Sequence, residues 1–140
     1  ISHDLSVVQY ISDRIAVMYL GKIVEYGDAD SVARRPLHPY TKGLVDAVPR
    51  IEDAFTEEVS RLKIDGETPS AMDPPSGCRF RTRCPFAQDI CAAQEPALRK
   101  LRTGQGNDQF VACHFPLVDG VQARVTSAIA GSGPGVAGRA

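Results

Sequence analysis

At 140 residues and a formal net charge of −1, the chain is long enough for one modest domain with a real core, or for a piece of something larger. With 43% hydrophobic and 24% charged residues, it gives no electrostatic reason to expect a nucleic-acid surface. No apolar run approaches the length that spans a bilayer, and nothing at the start resembles a secretory signal.

The chain opens at Ile1 and runs straight into Ser2-His3-Asp4-Leu5. Such an opening is expected of a longer polypeptide whose upstream part is missing. Residues 4–12, DLSVVQYIS, predict a helix capped by Asp4, with Leu5, Val8 and Ile11 on one face. RIAVMYLGKIVEYG then predicts two antiparallel strands, 14–20 and 22–26, with a tight turn at Gly21-Lys22. The first of them is apolar on both faces, as a covered strand would be.

Asp28 or Asp30 can cap a short helix running through Arg34, which Pro36 stops. Glu25, Asp28 and Asp30 together read as a solvated acidic loop. HPYTKGLVDAVP predicts a further helix, with Pro39 near its start and Pro49 just past its end. There Tyr40 is expected to pack inward, in preference to His38 or Tyr40 contacting a ligand. DAFTEEVSRLK, 53–63, is a short helix or an exposed charged face. From Gly66 onward the prolines break any long periodicity, which leaves a loop-rich unit in need of an external staple. Residues 119–140, rich in Gly and Ala, are expected to be a disordered tail.

The staple points to the cysteines. Cys78, Cys84, Cys91 and Cys113 are spaced C-x5-C-x6-C-x21-C. A pair of disulfides suits a secreted mini-protein, and no export signal accompanies them. Structural zinc sites show paired cysteines two to four residues apart, a gap absent here, although His114 beside Cys113 keeps zinc open. An iron–sulfur cluster tolerates longer spacings, and Cys84-Pro85 echoes a step common beside cluster ligands. Arg79, Arg81 and Arg83 are then placed to offset the negative charge of four thiolates and to donate hydrogen bonds toward sulfur. The lack of a C-x-x-C pair argues against a thiol-redox protein. His3, between a strand end and a helix start, can hydrogen-bond a phosphate oxygen, with a capping or surface role as the competing reading.

SHDLSVVQYISDRIAVMYLGKIVEYG resembles the last part of an ABC-type nucleotide-binding domain. Ser2-His3-Asp4-Leu5 matches its switch-histidine motif, and Asp13 to Met18 with Gly21 to Val24 match the strand pair that follows. HPYTKGLVDAVP, GETPS, PPSGCRFRTRCPFAQDIC, Glu95-Pro96 and VACHF resemble the C-terminal extension of one subclass, the ATP-binding subunits of oligopeptide, dipeptide and nickel importers. The resemblance covers about residues 1–117.

What it implies is an α/β fold with three parts. Residues 1–50 would be the C-terminal remnant of a P-loop nucleotide-binding domain, a helix and β-hairpin followed by helices. Residues 51–118 would be the loop-rich extension with its four-cysteine site, and 119–140 the tail. The implied parent is a transport-coupled ATPase that uses ATP with Mg2+ and lies peripherally on the cytoplasmic face of the cell membrane. Its implied partners are transmembrane permease subunits, a second ATP-binding subunit and, indirectly, a periplasmic or extracellular solute-binding protein, with no nucleic acid.

His3 would contact the ATP γ-phosphate, supported by Asp4. Cys78, Cys84, Cys91 and Cys113 match positions that hold a [4Fe–4S] cluster in some members, zinc being the alternative. These residues contain no phosphate loop, signature motif or Walker B end, so the 140-residue chain alone is expected to be inactive toward ATP. The competing function is a free-standing zinc or iron–sulfur interaction module.

Overall fold

Ile15, Val17 and Tyr19 alternate with Arg14, Ala16 and Met18, and this period of two builds β1, Arg14–Tyr19. The first trio is buried and the second exposed, so β1 is covered on one face only. That corrects the expectation of a strand covered on both faces; Met18, at 55% exposure, looks outward. Leu20 and Gly21, with φ of 45° and 78°, form the two-residue turn into β2, Lys22–Asp28. Two successive positive φ values match the twist of a right-handed hairpin, and the turn sits one residue earlier than predicted. The computed structural model describes residues 1–3, 5–48, 61–102, 108–118 and 121–122. The Asp4 cap, the charged stretch 51–60 and the tail beyond Gln122 lie outside the described residues.

Before β1, Leu5–Ile11 forms α1, which meets the core through Leu5 and Val8. Ile11, expected on the same face, is 78% exposed, because it lies at the last position of a short helix, past that contact. After β2, Asp28 caps α2, Ala29–Arg34, by accepting the Ser31 amide at 3.1 Å. Asp30 pairs with Arg34 one turn on, an exposed pair that adds little stability. The helix predicted from HPYT is α3, Pro39–Ala47. A five-residue helix, α4, spans Asp89–Ala93, and the strands β3, Arg99–Arg102, and β4, Asp108–Val111, follow it.

One antiparallel sheet joins the two halves, in the order β1-β2-β4-β3. The segments expected as separate units on either side of residue 50 thus share a sheet. A short ladder of β5, Leu117–Val118, with β6, Val121–Gln122, carries regular pairing into the stretch expected to be disordered.

The register of β1 against β2 slips between Val17 and Met18: Val17 faces Glu25, while Met18 faces Ile23. The extra residue, Val24, makes a bulge, so Val24 and Glu25 are both buried although adjacent. This overturns the reading of Glu25 as part of a solvated acidic loop. Its carboxylate is fully buried and accepts the Leu37 amide at 2.8 Å, the His38 amide at 2.9 Å and the Gln109 side-chain amide at 2.8 Å. Burial pushes its pKa up, while the Thr41 hydroxyl, the two backbone amides and Gln109 pull the other way. Gln109, on β4, also donates to the Arg35 carbonyl at 3.0 Å. A single buried carboxylate therefore ties β2, the start of α3 and β4 together.

Candidate functional site

Phe80 anchors the cysteine segment. It is 1% exposed and belongs to the same core as Ile15, Val17, Tyr19 and Val32. Its ring meets Tyr19 edge-on at 5.2 Å and lies 5.4 Å from Tyr40 and 5.6 Å from His38. Burying such a ring contributes roughly 1.5–3 kcal/mol. Tyr40 packs inward, as the sequence suggested. Arg79 adds a polar clamp by donating to the Leu20 carbonyl in the hairpin turn.

Held this way, all four cysteines line one small cavity, together with His38 and Pro39 at the start of α3, Arg81, His114 and the rings of Phe80, Phe86 and Phe115. Each thiol arrives on a different local support. The Cys78 amide donates to the Cys91 carbonyl at 2.7 Å, joining the first cysteine to α4. Cys84 follows the run of turns from Arg79 to Arg83, and its carbonyl accepts the Ala87 amide at 3.2 Å. Cys91 lies within α4. Cys113 is delivered by β4, because Ala112 donates to the Val24 carbonyl at 2.9 Å. All four are free thiols in this structure.

The electrostatics of the thiols have two parts. Burial raises the pKa of Cys84 to about 11 and that of Cys113 to about 12, and it raises that of Cys78 as well. Against that, backbone amides favour the thiolates: that of Phe80 at Cys78, that of Phe86 at Cys84 and that of Phe115 at Cys113, while the Arg81 amide donates to the Cys78 carbonyl at 3.0 Å. In three cases the donor is the residue two positions on, and it is a phenylalanine whose ring also walls the cavity. The repeated Cys-x-Phe was visible in the sequence at 78, 84 and 113 and was not used there. Its chemistry suits three thiolates in an apolar pocket, each beside a backbone N–H donor.

The arginines behave differently from the expectation. Arg81 lines the cavity, and its charge favours the Cys78 thiolate, yet its hydrogen bonds go to the Ser76 carbonyl at 2.9 Å and hydroxyl at 3.3 Å. Arg83 reaches the Asp65 carbonyl and the Thr68 hydroxyl, and Arg79 the turn. They brace loops, and the hydrogen bonds toward sulfur come from the backbone. His114, the substitute ligand for zinc, has its Nε2 2.9 Å from the Gln94 carbonyl. Among the described residues no three His, Cys, Asp or Glu side chains are set to hold a single metal ion. His38 is buried at the mouth of α3, its Nδ1 accepting the Tyr40 amide at 3.0 Å, and burial lowers its pKa to about 3. His3, by contrast, is exposed just before α1 and does not line the cysteine cavity.

Residues 24–91 match the family model described as the oligopeptide/dipeptide transporter C-terminal region, from β2 through the third cysteine. The chain carries this family's C-terminal region. It is 54% identical over 99 residues to the oligopeptide transport ATP-binding protein OppF of Salmonella typhimurium, covering 70% of this chain and 29% of that protein. It is 46% identical over 115 residues to the oligopeptide transport ATP-binding protein AppF of Bacillus subtilis, covering 82% of this chain and 34% of that protein. The chain thus spans about a third of the length of the curated relatives it matches. Among the described residues no helix is long and apolar enough to cross a membrane.

Proposed function

We propose that this chain belongs to an ATP-binding subunit that powers ABC-type import of oligopeptides or dipeptides across the cytoplasmic membrane. The observation that carries this is the family match over 24–91 together with relatives described as oligopeptide transport ATP-binding proteins. The phosphate-binding and magnesium-positioning groups of such an ATPase would come from polypeptide outside these residues. The subunit would sit on the cytoplasmic face against permease subunits, pair with a second ATP-binding subunit and receive solute through a binding protein. A free-standing metal module has less behind it, because the relatives named above are described as ATP-binding proteins.

In this reading His3 is the residue that senses the γ-phosphate. The match of Ser2-His3-Asp4-Leu5 to the switch-histidine motif supports this. His3→Ala in the assembled transporter is expected to reduce ATP hydrolysis at least tenfold while nucleotide binding stays near the wild-type level. Equal loss of both, read by steady-state hydrolysis and nucleotide titration, would make His3 a folding residue.

Cys78, Cys84, Cys91 and Cys113 are the proposed ligands of an iron–sulfur cluster. Their shared cavity and the backbone N–H groups that favour the thiolates support this over isolated buried thiols. A cluster tolerates the wide C-x5-C-x6-C-x21-C spacing, whereas structural zinc sites pair cysteines two to four residues apart. Bound there, it supplies a four-way staple to a segment that has little core of its own. Cys84→Ser is expected to lose iron and acid-labile sulfide from the anaerobically prepared protein. Unchanged iron, sulfide and melting temperature in that variant would remove Cys84 from the ligand set.

A further inference from the structure

We infer that His38 is a hydrogen-bond donor to sulfur in the group held by the four cysteines, with Nε2–H as the donating atom; this rests on the ligand assignment above. The starting point is the cap of α3. His38 Nδ1 accepts the backbone amide of Tyr40 at 3.0 Å, and an acceptor nitrogen carries no proton. The imidazole proton is therefore on Nε2, fixed there by the helix terminus.

That N–H has nothing to bind. Nε2 is one of the few buried side-chain polar atoms without a partner among the described residues, on a side chain 1% exposed. Buried donors in folded proteins are overwhelmingly paired, so an orphan of this kind marks a missing acceptor. The ring lines the cysteine cavity, with Nδ1 engaged at the helix and the opposite edge left over. Around that cavity Pro39, Phe80, Phe86 and Phe115 offer no strong side-chain acceptor, Arg81 offers only donors and His114 Nε2 is engaged with Gln94. Apart from His114 Nδ1, which the donation from Nε2 to Gln94 leaves as an acceptor, the side-chain acceptors on this wall are the four sulfurs.

A neutral thiol is a weak acceptor, whereas a metal-bound thiolate or sulfide carries negative charge and accepts well. His38 thus gains its partner when the centre is loaded. Hydrogen bonds to the sulfurs of such centres set the reduction potential, because they stabilise the more negative, reduced state. His38 would be a positioning and tuning residue outside the ligand set. The helix cap and the donor are two edges of one ring, so the start of α3 and the sulfur site are mechanically joined.

The test uses the complete protein loaded anaerobically with iron and sulfide, as wild type and as His38→Asn. Asparagine is a strong helix cap, so it keeps an acceptor for Tyr40, while it is too short to replace the far N–H of the ring. The expected result is equal iron and sulfide per chain, with a reduction midpoint shifted to a more negative value in His38→Asn. In histidine-labelled wild type, pulsed EPR of the reduced form is expected to show a weak nitrogen-15 coupling and an exchangeable-proton coupling. That measurement needs no variant to fold. With equal loading, an unchanged midpoint would overturn the donor role, as would the absence of both couplings in the wild type. A strong nitrogen coupling would also overturn it, by making His38 a direct ligand. Wild type that takes up no iron and sulfide would bring down the ligand assignment, and this inference with it.

Discussion

Glu25→Ala is expected to destabilise the protein by about 3–5 kcal/mol, enough to abolish the folded state of a marginal domain at physiological temperature. The size follows from what the carboxylate holds. One oxygen accepts from Leu37 and from Gln109, the other from His38, and all of these donors converge on a fully buried site. Removing the acceptor leaves two backbone amides and a side-chain amide in the interior, each costing about 1–3 kcal/mol when left unpaired. Glu25→Gln tests the same point more gently. Whichever way its amide turns, an N–H2 group meets an N–H donor, so a large fraction of the loss is expected to persist. Chemical denaturation of both variants is the measurement. A loss under about 1 kcal/mol for Glu25→Ala would mean that water replaces the carboxylate and that Glu25 is no keystone. The consequence would reach the cysteines, because the amides that Glu25 fixes belong to the turn that sets His38 and Pro39 on the cavity wall.

Nothing in a one-dimensional pattern announces Glu25 as buried. Alternation along KIVEYGD, with Val24 inward, would send Glu25 to solvent, and only the bulge opposite Val17 and Met18 turns it in. The hairpin itself was legible because its apolar alternation and its glycine lie within a few residues of each other. So were α2 and α3, whose Asp28 and Pro39 act at their own helix termini. The pairing of β2 with β4 was not, since it joins Glu25 to Val111 across a long, proline-broken stretch. Nor was the cap of α3. Histidine is an uncommon helix cap, and its role appears only once the Tyr40 amide is seen on Nδ1. At the candidate site the four cysteines were found by composition, and the structure brings all four to one cavity. The guess about arginines was a charge argument without geometry, and the repeated Cys-x-Phe, which supplies the N–H groups, carried the better signal.

Gly77→Ala is expected to leave the hairpin folded and to empty the cysteine site. Gly77 has φ of 65°, a region that L side chains enter only under strain, and it directly precedes Cys78. A methyl group there would come within 2.3 Å of the Cys91 carbonyl oxygen and 2.8 Å of that of Ala92. These are backbone atoms of α4 and its end, and they cannot swing aside as a flexible side chain does. The 2.7 Å hydrogen bond from the Cys78 amide to the same Cys91 carbonyl would have to break as the two strands of chain separate. Strain and overpacking together cost about 3 kcal/mol or more. Because the clash lies between two of the proposed ligands, the expected readout is loss of iron and sulfide at a concentration where wild type is fully loaded. Gly66→Ala is the control. Its φ is 84°, yet a methyl group there meets nothing closer than the Arg83 Cγ at 3.9 Å, so it carries backbone strain without the collision. If Gly66→Ala keeps its iron and Gly77→Ala loses it, the close approach of Cys78 to Cys91 is what the site requires. Full loading of Gly77→Ala would show instead that the two cysteines need no such contact, and that the cavity drawn together by Phe80 suffices.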